Sequence, residues 1–243
     1  MEKYIITTRP GEKGNADVTS VCFDLVNIPV TKLEVNTGIE ASTVMKFGPS
    51  LAIFTSSYGA NAFLKMPNAQ LSSGVKIVAI GEETAKALRQ KFDSVIVPGK
   101  KTSEGVIELL EHLLKPGERV VLFVSSRSNG AIEHYLQEHG VEYLLEELYY
   151  AESIPGEEFK ESALKPECFG IILTSSYEAS IVFTEILTSD DIQALLLDKK
   201  IFAIGRTTAN TLANLKIPVS EPLGESDFRE LVKNIDRLYC PGE

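Results

Sequence analysis

The chain alternates short apolar runs with longer amphipathic stretches. YIITT (4–8), SLAIFTS (50–56), VKIVAIG (75–81), SVIVP (94–98), RVVLFVS (119–125), VEYLLEELYY (141–150), FGIILTS (169–175), KKIFAIG (199–205) and IPVS (217–220) have the length and the β-branched or aromatic content of strands. Between them, EETAKALRQKF (82–92), TSEGVIELLEHLLKPG (102–117) and SRSNGAIEHYLQEHG (126–140) carry helical spacing. Their ends are signalled as well, by Thr102 as an N-cap and by Pro116-Gly117 and Gly140 as stops. The strand centres IIL, IVAI and VVLFV are continuously apolar rather than alternating, which fits strands covered on both faces. This pattern predicts an α/β fold on parallel sheets.

An internal repeat refines the picture. LAIFTSSYGANAF (51–63) resembles GIILTSSYEASIVF (170–183), and VKIVAIGEETAKAL (75–88) resembles KKIFAIGRTTANTL (199–212). The two blocks occur in the same order twice, separated by 26 residues (Thr55 to Gly81) and 31 residues (Thr174 to Gly205). A length of 243 residues admits one or two domains. The repeat decides for two similar halves, each an open doubly wound sheet.

In such sheets ligands gather at the carboxyl ends of strands, where the next helix presents unpaired backbone N–H groups. Thr55-Ser56-Ser57, Gly81-Glu82-Glu83-Thr84, Ser125-Ser126, Thr174-Ser175-Ser176 and Gly205-Arg206-Thr207-Thr208 all fall there. Each cluster alone signifies no more than a strand end and a favoured N-cap. Five of them in two halves predict a cleft lined with neutral hydrogen-bond donors. Arg9, Arg127 and Arg206 are the cations near these turns, either solvated or paired with an anion. Tyr149 and Tyr150 end a strand, where they pack against the sheet or offer a phenol that stays protonated at neutral pH.

Charge and composition exclude several classes. Thirty-four acidic against 24 basic residues give a net charge of −10 and a pI near 5.0, so nucleic acid is not an expected partner. No apolar stretch approaches the roughly 20 residues that span a bilayer, and MEKYIITTRPGEKGN lacks a signal-peptide core, so a soluble cytoplasmic chain is expected. Cys22, Cys168 and Cys240 lie far apart without CxxC and read as isolated buried thiols rather than a disulfide framework. His112, His134 and His139 have no metal-binding spacing, and no metal is expected. IGEETA and IGRTTA are neither dinucleotide nor P-loop fingerprints, and GxSxG is missing, which sets aside nucleotide and hydrolase chemistry. A two-lobed module that binds or senses an anionic small molecule remains the alternative to an enzyme.

The ordered set TTRPG (7–11), IFTSSYGA (53–60), VAIGEETAKAL (78–88), LYY (148–150), ILTSSYEA (172–179) and AIGRTTANTL (203–212) resembles the uroporphyrinogen-III synthase family over nearly the whole chain. The stretch between Pro10 and Val26 departs from it, being short for a first helix. The resemblance implies two α/β lobes, residues 1–35 with 153–243 and residues 36–152, joined by the hinge segments NIPVTKLEV and ELYYAESIP with the active-site cleft between them. It implies cyclisation of the linear tetrapyrrole hydroxymethylbilane to uroporphyrinogen III with inversion of ring D and loss of water, without cofactor or metal. It implies Tyr149 as the catalytic group. Arg9, Thr55, Ser56, Thr84, Ser126, Arg127, Ser175, Thr207 and Thr208 are then the substrate-binding set. A monomer that receives its substrate by transient hand-over from hydroxymethylbilane synthase is the matching expectation. Tyr58 and Tyr177 have no clear counterpart in the family and stay without a role.

Overall fold

A computed structural model describes residues 3–11, 18–67 and 69–240. The chain opens with strands β1 (Tyr4–Thr7), β2 (Asp24–Asn27) and β3 (Thr31–Val35), followed by α1 (Ala41–Phe47), β4 (Leu51–Phe54) and α2 (Ser57–Lys65). Next come β5 (Lys76–Ala79), α3 (Glu82–Leu88), α4 (Ser103–Leu113), β6 (Arg119–Ser125), α5 (Ala131–Glu138) and β7 (Glu142–Ser153). After α6 (Glu157–Ala163) and β8 (Cys168–Leu173), α7 (Ser176–Ile181) widens into a π-helical turn at Val182–Ile186. The chain continues through α8 (Ser189–Asp198), β9 (Lys200–Ala203), α9 (Arg206–Asn214) and α10 (Phe228–Tyr239).

It divides into two compact units, Met1–Leu33 with Glu152–Glu243, and Glu34–Ala151. The boundaries fall on β3 and β7, within the two segments expected to be hinges. The first unit holds a four-stranded sheet in the order β2-β1-β8-β9, with every pairing parallel. The second sheet runs β3-β7-β6-β4-β5, with parallel pairing from β7 through β5. Both are doubly wound. In the first, successive crossovers leave β1 in opposite directions, so the topological switch lies between β1 and β8; in the second it lies between β6 and β4.

The apolar runs become strands because helices cover both faces. β4 is buried along its whole length, and β8 and β6 nearly so, as their continuous hydrophobicity requires. Ile171, Leu173, Ile201 and Leu212 share one core with helices α6 to α9, while Ile5, Ile172 and Phe202 pack on the other face against Leu231, Val232 and Ile235 of α10. Each such side chain contributes about 1.5–3 kcal/mol on burial. The helix signals hold locally: Thr102 accepts from the Gly105 N–H at 3.2 Å, and Gly140 adopts φ +61°, which closes the turn after α5.

Several expectations are corrected. SVIVP contributes one bridge, between Ile96 and Val78, and IPVS forms no strand. Pro218 has no N–H for a ladder, so only Ser220 pairs there, its N–H donating to the Ile201 carbonyl at 2.7 Å. Cys22 and Cys240 are not isolated thiols but a disulfide, the residue after α10 being brought to the segment before β2. A separation of 218 residues hides that pairing from any spacing argument. Cys168 is a buried free thiol, its pKa pushed up to about 11 by burial. In the stretch from Pro10 to Val26, residues 12–17 lie outside the described residues. No helix among the described residues is long and apolar enough to cross a membrane.

Candidate active site

In the second unit, the first group of predicted residues assembles at the carboxyl ends of β4 and β6 and along β7, which does not end at Tyr149 and Tyr150 as expected but runs on to Ser153. The Thr55 N–H and Oγ1 both donate to the Phe123 carbonyl, at 3.2 and 3.0 Å, which extends the β4–β6 ladder one residue past the strand. Ser56 caps α2 by accepting from the Gly59 N–H at 3.0 Å, which leaves its own proton to donate. β7 is bulged at the same level. Val124 pairs with Glu147 but Ser125 with Tyr149, so Leu148 is the extra residue, and the Ser126 N–H donates to the Tyr149 carbonyl at 3.0 Å. The bulge breaks the alternation that would send one of two neighbours outward, and Leu148 and Tyr149 are both buried.

The Tyr149 ring lies edge-on to Tyr58, centroids 4.9 Å apart, over the first turn of α2. Gly59 faces the ring and puts no side chain between it and the helix. A Cβ at position 59 would sit 3.4 Å from Cε1 of Tyr149, 3.5 Å from Cδ1 of Leu148 and 3.0 Å from Oγ of Ser56. Thr84 is buried in α3, whereas Ser126 and Arg127 are exposed on the loop after β6.

The first unit builds the equivalent turn differently. Thr8 Oγ1, Thr174 Oγ1 and the Thr174 N–H all donate to one oxygen of the Glu178 carboxylate, at 2.7, 2.8 and 3.1 Å. Ser175 caps α7, accepting from the Glu178 N–H at 3.1 Å. Glu178 is only 3% exposed, and burial pushes its carboxyl above the usual carboxylate range against the pull of these donors. The carboxylate bridges the ends of β1 and β8 where the other unit uses the Phe123 carbonyl. Arg9, half-buried beside it, stacks 4.5 Å over the Phe228 ring; burial lowers its pKa and the Glu178 charge opposes that. At the start of α9, Thr208 is buried, while Arg206 and Thr207 are exposed.

The predicted residues therefore form two sets: Thr55, Ser56, Thr84, Ser126, Arg127 and Tyr149 in one unit, and Arg9, Ser175, Thr207 and Thr208 in the other. Thr8, Gly59 and Glu178 were not foreseen, although aligning TSSYGA with TSSYEA exposes Gly59 and Glu178 as the point where the repeats part. Among the described residues, one group has metal-ligand proximity, Cys22, Asp236 and Cys240 within 4.8 Å, but its sulfurs are bonded to each other and offer no thiolate. The predicted set offers hydroxyls, backbone amides, the Arg9 and Arg127 guanidinium groups and the Tyr149 phenol.

Two solved structures share this architecture. Uroporphyrinogen-III synthetase from Helicobacter pylori superimposes with a TM-score of 0.67 at 16% identity, covering 97% of this chain and 99% of that one. A mutant uroporphyrinogen III synthase from the extremely thermophilic bacterium Thermus thermophilus gives 0.61 at 18%, covering 97% and 98%. Comparison with curated protein sequences gives no match. The family model described as HEM4, uroporphyrinogen-III synthase HemD, matches residues 23–227. With that match spanning most of its length, and with two doubly wound units carrying the repeated TSSY and IGxxTA turns, the chain belongs to the uroporphyrinogen-III synthase family.

Proposed function

We propose that this enzyme closes hydroxymethylbilane to uroporphyrinogen III with Tyr149 as its proton donor. The supporting observation is the placement of the phenol. A bulge and a glycine hold the Tyr149 ring against the first turn of α2 at the carboxyl end of the sheet. Loss of the terminal hydroxyl as water takes one proton from the phenol, which regains it when the closed macrocycle rearomatises, and leaves an azafulvenium cation. The substituted carbon of the terminal pyrrole attacks it to give a spiro intermediate, whose rearrangement and closure invert ring D. A phenol that is neutral at physiological pH supplies the proton to the departing oxygen.

The remaining steps form bonds within one folded substrate, so holding its conformation supplies much of the acceleration. In this proposal Ser56, Ser126, Ser175 and Thr207 donate to carboxylates, with Arg9 and Arg127 as their cationic partners. Thr55 has given its proton to the Phe123 carbonyl and can only accept, which suits a pyrrole N–H. Thr84 and Thr208, expected to contact substrate, are both buried, so in this proposal they shape the helix starts on which those contacts rest instead of touching substrate themselves. A monomer in the cytoplasm, taking substrate directly from hydroxymethylbilane synthase, completes the proposal.

The test is a coupled assay. Hydroxymethylbilane is generated in situ, this protein is added without metal or cofactor, and the oxidised porphyrins are separated. Isomer III is the expected product; isomer I alone, from folded protein, would overturn the proposal.

A further inference from the structure

The geometry points to Gly59 as the positioning residue for the Tyr149 phenol, an inference that rests on Tyr149 being the proton donor. The two TSSY turns are copies up to their tyrosines, and then one has Gly59 where the other has Glu178. Both residues follow the capping serine by three, and both give it their N–H. In the first unit the side chain at this position runs into the crevice between β1 and β8, where its carboxylate collects Thr8 and Thr174. In the second unit no side chain leaves the helix there, and the Tyr149 ring stands against the open backbone instead.

Backbone strain does not demand the glycine. Position 59 is inside a nine-residue helix without a positive φ, where glycine costs about 1 kcal/mol relative to alanine. Its value lies in the neighbours that a side chain would displace. The first carbon would stand in ordinary contact with the Tyr149 ring at 3.4 Å and tighter than most packed carbons, at 3.0 Å, against Ser56 Oγ, so any atom beyond it meets the ring. A longer chain drives the ring off α2 and moves the hydroxyl it carries. Proton transfer depends steeply on such displacement, since a general acid works only within hydrogen-bond reach of its acceptor.

A double-mutant cycle isolates this role. Turnover and KM for hydroxymethylbilane are measured in the parent, Gly59→Leu, Tyr149→Phe and the double variant, with thermal unfolding confirming the fold of each. Gly59→Leu is expected to lower kcat at least tenfold in the parent and less than twofold once the phenol is gone. Gly59→Ala, whose single carbon meets the ring at ordinary contact distance, is expected to stay within about twofold of the parent, while Gly59→Val, intermediate in reach, repeats the cycle with an expected loss of twofold to fivefold that Tyr149→Phe abolishes. Equal losses in both backgrounds, or Gly59→Leu as active as the parent, would overturn the positioning role while leaving the phenol's role intact. Tyr149→Phe with parental turnover would instead remove the donor assignment on which the inference stands.

Discussion

The same six-residue turn, TSSY followed by Gly-Ala or Glu-Ala, has been put to opposite uses in the two units. In one, the Glu178 carboxylate enters the crevice and is satisfied by hydroxyls and an amide of its own chain. In the other, Gly59 withdraws any side chain and lets a tyrosine from a neighbouring strand occupy the space. The repeated turn thus becomes, in one unit, a self-filled turn that ties two strands together and, in the other, a bare one against which the Tyr149 ring packs. What distinguishes them is one side chain in a shared backbone, so repetition of a motif does not imply repetition of its chemistry.

The largest effect that probes this contrast is on turnover. Tyr149→Phe is expected to lower kcat about a hundredfold, at the low end of general-acid contributions, whereas Tyr177→Phe in the other turn leaves it within about twofold. Equal losses from both would make the two turns chemically equivalent and break the comparison.

Stability should respond in the opposite unit. Glu178→Ala leaves the Thr174 N–H and two hydroxyls inside the crevice without their acceptor, and about 2–3 kcal/mol of unfolding free energy is expected to be lost. Glu178→Gln keeps an accepting oxygen and should lose roughly 1 kcal/mol or less, a difference readable by denaturant titration. If alanine and glutamine prove equally mild, Glu178 is not the tie between β1 and β8.

The pH dependence is smaller. Because burial raises the folded-state pKa of Glu178 above its unfolded value, the protonated form favours folding. That contribution is fully present below the ordinary carboxylate range and is lost as pH rises through the raised value. Replacing Glu178 by glutamine should flatten the stability–pH curve on that side and nowhere else. A curve of unchanged slope would show that the carboxyl is not titrating in the folded unit.

Much of this could be read before any coordinates. Continuous apolar runs marked β5, β6 and β8 because strands covered on both faces have no polar side to show. The repeat marked both switch-point turns because Ser and Thr must end the strand and cap the helix. The pair Tyr149-Tyr150 stood out as a source of a phenol, but only the family resemblance chose Tyr149 between them, since a bulge at Leu148 shifts pairing by one residue and leaves no trace in composition. Glu178 was concealed for another reason: an acidic residue in the first turn of a helix ordinarily faces water and the helix dipole, and only the neighbouring Thr8, 170 residues away, makes it a buried acceptor. IPVS misled because three apolar residues resemble a strand until Pro218 removes the N–H that would pair it.

The division of the first unit between the two ends of the chain bears on how the protein emerges from the ribosome. β1 and β2 leave first, yet the strand that must lie beside β1 is encoded about 140 residues later. At about 5–20 residues per second, roughly seven to thirty seconds of synthesis separate them. During that interval the contiguous second unit can fold to completion, while the opening strands wait with exposed edges for β8, β9 and α10. The half that carries the phenol is therefore built first, and the half that ties itself with Glu178 is sealed last.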